Sequence, residues 1–209
     1  MDFSFSEDQE LMIDSIKEFA ATYFTDEAVK EMYEVHHGVP DEVQDAYRDL
    51  GFAFMGLPEE VGGIPATRID LGILTETLYR ATGCMTPFMT AMLAAYDVAE
   101  FGSEEQCQLI VDHYDKTGNC FAAMCLSEPG AGSDNMGMTT TKKQADGTYI
   151  LKGQKTWVTN GACSSYLVVI AKDEDPAREN KNMSLWLIPS DTPGVSTAAL
   201  TKLGQQTVP

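Results

Sequence analysis

Several features are scarce in this sequence of 209 residues, and each scarcity excludes a class of protein. No apolar run approaches the ~20 residues that a membrane-spanning helix needs, so no membrane partner is predicted. Basic side chains are few: 14 Lys and Arg stand against 32 Asp and Glu, which gives a net charge of −18. A chain this acidic does not attract nucleic acid or an anionic membrane surface, so nucleic acid is not predicted as a partner either.

Cysteine pairs with a functional spacing are also lacking. The five cysteines include no Cys-x-x-Cys pair and have no metal-like spacing with the three histidines. They are interpreted as small buried hydrophobic residues in a reducing compartment, and neither a metal site nor a disulfide is favoured. The N-terminal residues 1–4 lack the basic and apolar stretches of a secretory signal, which favours a cytoplasmic location.

The negative charge is confined to the first part of the chain. Residues 1–119 contain 24 acidic and 6 basic residues, whereas residues 120–209 contain 8 of each. This break predicts a boundary near residue 119, between a domain 1–119 and a domain 120–209. The acidic surface fits a docking face for a basic partner or an ordinary solvated helix surface, and the second interpretation is favoured.

The first domain has the signals of helices. Capping boxes at Ser6-Glu7-Asp8-Gln9 and at Ser103-Glu104-Glu105-Gln106 predict two helix starts. Three further helices are predicted from apolar periodicity and from Pro and Gly positions. They lie between Pro40 and Gly51, over 67–81, and over 87–101 behind an N-cap at Thr86.

After residue 119 the apolar pattern changes to a period of two, which is typical of strands. The Ala145-Asp146-Gly147 segment predicts a hairpin turn. The fold class is therefore predicted as α+β, with an all-helical domain followed by an incomplete antiparallel β-barrel domain. The predicted strands are Cys120–Leu126, Thr139–Gln144, Thr148–Lys152, Thr156–Thr159, Tyr166–Ala171, Leu185–Pro189 and Val195–Leu200. Because this set leaves an open edge, we expect the β domain to continue past Pro209 or to be completed by another chain.

Two segments have the composition of a ligand site. In the first, a strand over Met124–Leu126 runs into a loop with Gly130 and Gly132, where a ligand can approach the backbone closely. Ser127 and Ser133 add hydroxyls, and such a loop can hold a phosphate or the polar edge of a heterocycle. A tight turn between strands explains the same residues equally well.

The second segment is Gly153–Gly161. On the predicted strand, Trp157 and Thr159 lie on one face, where an indole can cover a flat ring and a hydroxyl can bond to a ring nitrogen. A Trp packed in a barrel core is the alternative, and it is favoured while this segment is considered alone.

Taken together, the segments resemble the acyl-CoA dehydrogenase family over essentially the whole chain. Ser127–Asp134 is similar to the family loop Thr/Ser-Glu-Pro-Gly-Ala-Gly-Ser-Asp, and Gly153–Asn160 is similar to its Gly-x-Lys-x-Trp-Ile-Thr-Asn segment. The Pro58–Gly63 loop and a Pro-Gly-Val before Lys202-Leu203-Gly204 also match. The departures are Ser127, where Thr is common, and Val158, where Ile is common.

The resemblance implies an N-terminal helical domain, a middle β domain and a C-terminal helical bundle, and this sequence does not contain the bundle. It implies an FAD between middle domain and bundle, with a neighbouring subunit completing the site. Ser133 is the residue best placed to contact the CoA-bearing substrate as well. The implied cofactor-binding residues are Met124, Leu126, Ser127, Gly132, Ser133, Trp157, Val158 and Thr159.

The implied reaction is α,β-desaturation of an acyl-CoA thioester, in which the flavin takes a hydride and an electron-transfer flavoprotein reoxidises it. The family's carboxylate base lies in the bundle, so no catalytic residue is assigned, Glu128 is not chosen, and the chain alone is expected to be inactive. A homo-oligomer, dimer or tetramer, is implied. The alternatives are a non-catalytic binding or assembly subunit, an acyl-CoA oxidase, and an enoyl-CoA reductase of the same fold.

The segment after Gly83 allows two interpretations. The matching region of the family helps to form the acyl-chain pocket, but plain core packing is favoured for these residues. The Thr86-Pro87-Phe88 run resembles the short-chain and crotonobetainyl-CoA reductase branch. The side chains concerned are Met85, Phe88, Met89, Met92 and Tyr96.

Overall fold

The computed structural model describes residues 4–138, 140–143, 146–173 and 183–209. The predictions for Thr139, Gln144 and Ala145 therefore lie outside the described residues, as do residues 1–3 and 174–182. Within the described ranges, no helix combines the length and the apolar character needed to cross a membrane.

The part before residue 119 is helical, as predicted. Its α-helices are α1 (Glu7–Tyr23), α2 (Asp26–Glu31), α3 (Asp41–Asp49), α4 (Arg68–Thr82), α5 (Phe88–Phe101) and α6 (Glu104–Lys116). A π-helical turn, Met32–His36, follows α2, and short 3₁₀ turns cover Phe52–Phe54 and Glu59–Val61. The short α2 was not predicted. None of its residues is buried, so its sequence lacks the apolar stripe by which the other helices were recognised.

The helix starts show which capping predictions are correct. Both predicted capping boxes are present: at α1, Gln9 N donates to Ser6 Oγ over 3.2 Å and Ser6 N donates to Gln9 Oε1 over 3.1 Å, and Ser103 does the same with Gln106 at α6. The N-cap predicted at Thr86 is wrong. Pro87 holds that position, and Thr86 is fully buried with its hydroxyl unpaired.

The main hydrophobic core lies between the helices and continues into the second part of the chain. The rings of Tyr47 and Phe88 stack at 4.0 Å with an interplanar angle of 4°. The same core includes Phe121, Ala122 and Val168 from the β part. Each fully buried large apolar side chain contributes about 1.5–3 kcal/mol, so this shared core joins the two parts.

The described strands form one mixed sheet around a central strand, and within the described residues this sheet is not closed into a barrel. They are β1 (Ala122–Cys125), β2 (Thr140–Lys143), β3 (Tyr149–Leu151), β4 (Tyr166–Asp173) and β5 (Met183–Pro189). One edge of β4 pairs with β5 antiparallel, and its other edge pairs in parallel with β1 and then with β2. β3 pairs antiparallel with β2.

The α+β class is confirmed, but the wholly antiparallel pairing is wrong. Alternation of apolar and polar residues shows which side chains of a strand share a face. It does not show which other strand pairs with it, or in which direction. The parallel pairing of β1 with β4 requires a long connection, and the chain between Cys125 and Tyr166 is long enough to supply it.

Two segments that were predicted as strands are described by the structure but do not form strands. Thr156–Thr159 is irregular, because Trp157 has a φ of 58° and Asn160 a φ of 64°, which turn the chain out of an extended course. Val195–Leu200 is also irregular and mostly exposed. The alternating pattern had predicted that Trp157 and Thr159 share one face of a strand. This prediction is wrong, because the segment that contains them is not a strand.

Candidate functional site

The small-residue loop begins where β1 ends, at Cys125. Glu128 and Ala131 exchange backbone hydrogen bonds of 2.9 and 3.2 Å, which fold the loop into a tight turn with Pro129 and Gly130 at its tip. Gly132 and Ser133 are exposed. A Cβ added at Gly130 or Gly132 would meet nothing within 4 Å. Packing inside the chain therefore does not require glycine at these positions, and the space beside the backbone is open to a ligand.

A buried ion pair joins this loop to the second segment. Lys155 Nζ lies 2.7 Å from Glu128 Oε1, and both side chains are only 11% exposed. The same ammonium donates to the Leu126 carbonyl over 2.9 Å. Beside it, Thr156 N donates to the Ser127 carbonyl over 2.9 Å. The two predicted site segments, which are distant in sequence, therefore lie side by side.

No role was predicted for Lys155 or Glu128 from the sequence, although both lie within the two motifs. The available signal was their opposite charge in two segments already expected to share a site. The ion pair also bears on the chemistry of Glu128. The Glu128 carboxylate accepts from the Lys155 ammonium inside the chain, so it is engaged in holding the two segments together.

Trp157 is the most unusual residue of the second segment. Its side chain is 74% exposed, and its backbone is left-handed, which a bulky residue adopts only at a cost of about 1–3 kcal/mol. The largely exposed indole therefore offers a flat apolar surface against which a ligand can pack.

Behind Trp157, Asn160 fixes the turn to the helical part. Asn160 is fully buried, and its Nδ2 donates to the Pro87 carbonyl over 2.8 Å. Its own carbonyl accepts from the backbone N–H groups of Cys163 and Ser164. A second attachment comes from Thr207, whose hydroxyl donates to the Met85 carbonyl. Asn160 was another residue without a predicted role; its Oδ1 is buried and unpaired.

The remaining predicted site residues lie near the Lys155–Glu128 ion pair and the Asn160–Pro87 hydrogen bond. Leu126, Ser127 and Thr159 are half-buried. Met124 packs against the main core on the helical side of β1. Val158 packs against the cluster of Ala123, Cys125, Leu167 and Val169, on the other side of β1. The structure thus brings the two segments together but directs the Met124 and Val158 side chains to opposite faces.

Residues of α5 divide between core and surface. Phe88 and Met92 are 4% and 2% exposed, and Tyr47 Oη lies 3.3 Å from the Met92 sulfur, so these two side chains belong to the core. Met89, Met92 and Tyr96 also line a groove of about 470 Å³ between α4 and α5. Its other lining residues are Leu71, Gly72, Thr75, Glu76 and Leu93, so the groove is mostly apolar.

The cysteines differ in their surroundings. Burial raises the pKa of Cys125 to about 11, although the nearby Lys155 charge lowers it. Cys107 and Cys120 are also buried, and Cys84 is half-buried. Cys163 is exposed, so the interpretation of all five as buried hydrophobic residues is wrong for it. Within the described ranges, no three His, Cys, Asp or Glu side chains are grouped as they would be around a metal ion.

Comparison with known proteins gives two matches to family models. The acyl-CoA dehydrogenase N-terminal domain matches residues 6–113, and the acyl-CoA dehydrogenase middle domain matches residues 123–209. A probable acyl-CoA dehydrogenase of Escherichia coli K12, YdiO, is 35% identical over 206 residues, which are 98% of this chain and 53% of that protein. The chain therefore spans about half the length of this relative.

A human relative and a solved structure agree with these matches. The mitochondrial short-chain specific acyl-CoA dehydrogenase of Homo sapiens is 37% identical over 152 residues, covering 70% of this chain and 36% of that protein. The structure of an acyl-CoA dehydrogenase from Bacillus anthracis, complexed with FAD, aligns with a TM-score of 0.76 at 26% identity and covers 98% of this chain and 35% of that chain. The chain therefore belongs to the acyl-CoA dehydrogenase family, of which it contains the N-terminal and middle domains.

Proposed function

We propose that this chain is the N-terminal and middle part of an FAD-dependent acyl-CoA dehydrogenase that desaturates an acyl-CoA thioester between its α and β carbons. Its relatives are named as dehydrogenases of this class, and one solved relative was determined with FAD. Bound FAD would supply the acceptor for the hydride that leaves the β carbon.

The observation that carries this proposal is the exposed Trp157 on a left-handed backbone, next to a loop with open space at Gly130 and Gly132. A flat ring system of the size of a flavin can lie against the indole, and the small residues leave room for its polar edge and for a phosphate-bearing chain. A ligand that packs on the indole would help to offset the cost of the left-handed backbone at Trp157.

The other residues have complementary roles in this proposal. Ser127 and Thr159 supply hydroxyls to the polar edge of the flavin ring, and Met124, Leu126 and Val158 fix the course of the backbone beside it. Gly132 and Ser133 face the solvent at the loop, where Ser133 can donate to the cofactor or to the CoA-bearing substrate. The Lys155–Glu128 pair holds the two segments in register, so it positions these groups without touching the substrate.

The proton on the α carbon needs a base that this arrangement does not supply. Glu128 is engaged by Lys155, so it is not assigned as the base. We therefore assign the base to a carboxylate outside these 209 residues, and we expect the chain alone to show no useful turnover. The groove between α4 and α5 is the proposed position for part of the acyl chain, because its lining is mostly apolar and includes the adaptable side chain of Met89.

The remaining elements of the proposal concern the assembly. We propose a cytoplasmic homo-oligomer, dimer or tetramer, that passes electrons to an electron-transfer flavoprotein. Similarity to the human short-chain enzyme supports a short acyl substrate, and the chain-length profile of the active enzyme tests this directly.

The flavin site is tested by Trp157→Gly in the FAD-loaded enzyme. Glycine adopts the left-handed backbone without strain, so stability is expected to stay the same or rise. FAD affinity is expected to fall about tenfold, because an aromatic contact of about 1 kcal/mol or more is lost. The control is Trp186→Phe, since Trp186 packs on Tyr149 in the sheet, and this variant is expected to keep its FAD affinity. Unchanged FAD affinity in Trp157→Gly would refute the assigned site.

The intact mass of the protein from its natural source separates an enzyme of this fold from a binding or assembly subunit. A mass far above 22.8 kDa supports an enzyme whose base lies beyond this chain. A mass that equals 22.8 kDa would instead favour a binding or assembly subunit, and purification of its partner would follow.

A further inference from the structure

The Asn160 side chain lies where two parts of the candidate site meet. Its Nδ2 donates to the Pro87 carbonyl over 2.8 Å, and the same carbonyl accepts from Ala91 N over 3.1 Å in the first turn of α5. Met89 lies in this turn and lines the groove between α4 and α5. In the sequence, Asn160 directly follows Thr159. One side-chain amide thus joins the helix that lines the groove to the segment proposed to hold the flavin.

The backbone of Asn160 is held by several hydrogen bonds. Its φ of 64° is left-handed, a conformation that Asn adopts more readily than most residues. Its carbonyl accepts from Cys163 N over 3.1 Å, from Ser164 N over 3.0 Å and from the Ser164 hydroxyl over 2.9 Å. Because the residue is fixed within its own turn, the amide contact at Pro87 determines where the neighbouring Thr159 lies.

The side chain of Asn160 brings little net stability to the chain. The residue is fully buried, and its Oδ1 has no hydrogen-bond partner among the described residues, which leaves a desolvated acceptor uncompensated. The Pro87 carbonyl would keep its bond from Ala91 N if the amide were removed. The favourable bond from Nδ2 is therefore offset by the unpaired Oδ1, and the side chain acts mainly by fixing positions.

We propose that Asn160 is a positioning residue that sets the separation between the acyl-chain groove and the flavin-binding turn. This inference rests on the flavin site and the groove proposed above. Through the Pro87 carbonyl, Asn160 holds the first turn of α5 against the turn that follows Thr159, so an acyl chain in the groove places its thioester at a fixed point beside the flavin. Reacting atoms must lie about 3–3.5 Å apart, so a small displacement slows the reaction more than it weakens substrate binding.

The test is Asn160→Gly in the enzyme, because glycine keeps the left-handed backbone and removes only the side chain. The affinity of the apoenzyme for FAD is expected to fall about tenfold, since Trp157 and Thr159 are displaced together. In the FAD-loaded enzyme, kcat is expected to fall about 10- to 100-fold, whereas KM changes by less than about threefold. The urea midpoint of the apoenzyme is expected to change little.

Thr207→Val is the matched control. The Thr207 hydroxyl donates to the Met85 carbonyl, so it also attaches the β part to the segment before α5, and valine has nearly the same shape as threonine. Thr207 lies outside the turn that follows Thr159. FAD affinity and kcat are therefore expected to remain unchanged in this variant, even if its urea midpoint falls.

The result on the unmodified enzyme separates this role from the proposed function. If the unmodified enzyme binds no FAD, the proposed function fails and the role of Asn160 fails with it. If it binds FAD and turns over an acyl-CoA, the role of Asn160 alone is overturned by any of three results. Asn160→Gly may keep its FAD affinity and kcat, Thr207→Val may lower them equally, or Asn160→Gly may fail to fold, which would show that the side chain serves stability.

Discussion

The helical part and the β part of this protein are held together in different ways. In the helical part, the ends of α1, α4 and α6 are satisfied by side chains three residues along the chain. In the β part, the site segments are joined by a buried ion pair between Glu128 and Lys155, which are 27 residues apart. Local side-chain caps thus hold the starts of three helices in the acidic part, whereas contacts between distant residues align the charge-balanced site.

The largest effect is expected from breaking the long-range pair. Lys155→Ala leaves the Glu128 carboxylate buried without its cation, and this costs about 3–5 kcal/mol of unfolding free energy. Urea unfolding measures the loss. Both tryptophans, Trp157 and Trp186, lie in the β part, so their fluorescence reports that part while circular dichroism reports the helices. Because the main core is shared, we expect the two signals to change at one urea midpoint.

Two further variants control this prediction. Lys152→Ala removes an exposed charge just before the segment that contains Lys155 and is expected to change stability by less than about 0.5 kcal/mol. The double variant Lys155→Met with Glu128→Leu replaces both charges by apolar groups and is expected to recover most of the loss. A Lys155→Ala protein as stable as Lys152→Ala would show that the pair does not align the site.

A smaller effect is expected at the cap of α1. Ser6→Ala leaves Gln9 N without its acceptor and costs about 1 kcal/mol. Ser15→Ala is the matched control within the same helix, because Ser15 Oγ donates only to the Leu11 carbonyl on an exposed face. That substitution is expected to be neutral or slightly stabilising, since Ala favours the helix interior. Equal denaturant midpoints for the two variants would contradict a local origin of helix stability.

The smallest effect concerns pH at the junction of the two parts. His113 Nε2 lies 3.0 Å from the Asn119 carbonyl, and its ring contacts Phe121 edge-on. Burial lowers the pKa of His113 below its usual value, so protonation begins in the unfolded state as the pH falls. The contribution of His113 to stability is therefore complete above the unfolded pKa of about 6.5 and is lost as the pH falls through the folded pKa.

The pH dependence is measured as unfolding free energy between about pH 5 and 8, across the ordinary His range. His113→Asn is expected to flatten the curve in this range. His37→Asn is the control, because His37 is exposed and its left-handed backbone, with a φ of 49°, suits Asn. The same slope in His113→Asn and in the unmodified protein would exclude His113 as the source.

This contrast also explains how much of the fold the sequence could predict. The helices α1, α3, α4, α5 and α6 were predicted because their caps and apolar stripes are local patterns. The strands β1, β4 and β5 were predicted from alternation, but their pairing was not, since the partner of a strand is set by contacts far away in sequence.

In the candidate site, too, local features could be predicted from the sequence and long-range contacts could not. Its two segments were predicted from their residue types, yet the strand assigned to Thr156–Thr159 was wrong. Alternating apolar and hydroxyl residues resemble a strand, and nothing local in the sequence requires Trp157 to adopt a positive φ. That conformation depends on Asn160 and Lys155, which contact Pro87 and Glu128 elsewhere in the chain.

The two attachments to the segment before α5 have a mechanical consequence. Asn160 holds the Pro87 carbonyl and Thr207 holds the Met85 carbonyl, so the β part is pinned to one short segment at two points that are far apart in sequence. One pin would leave a hinge, whereas two pins and the shared core oppose rotation of the β part as a rigid body. A ligand that binds at the Pro129–Gly132 loop would therefore meet a sheet whose orientation relative to the helices is already fixed.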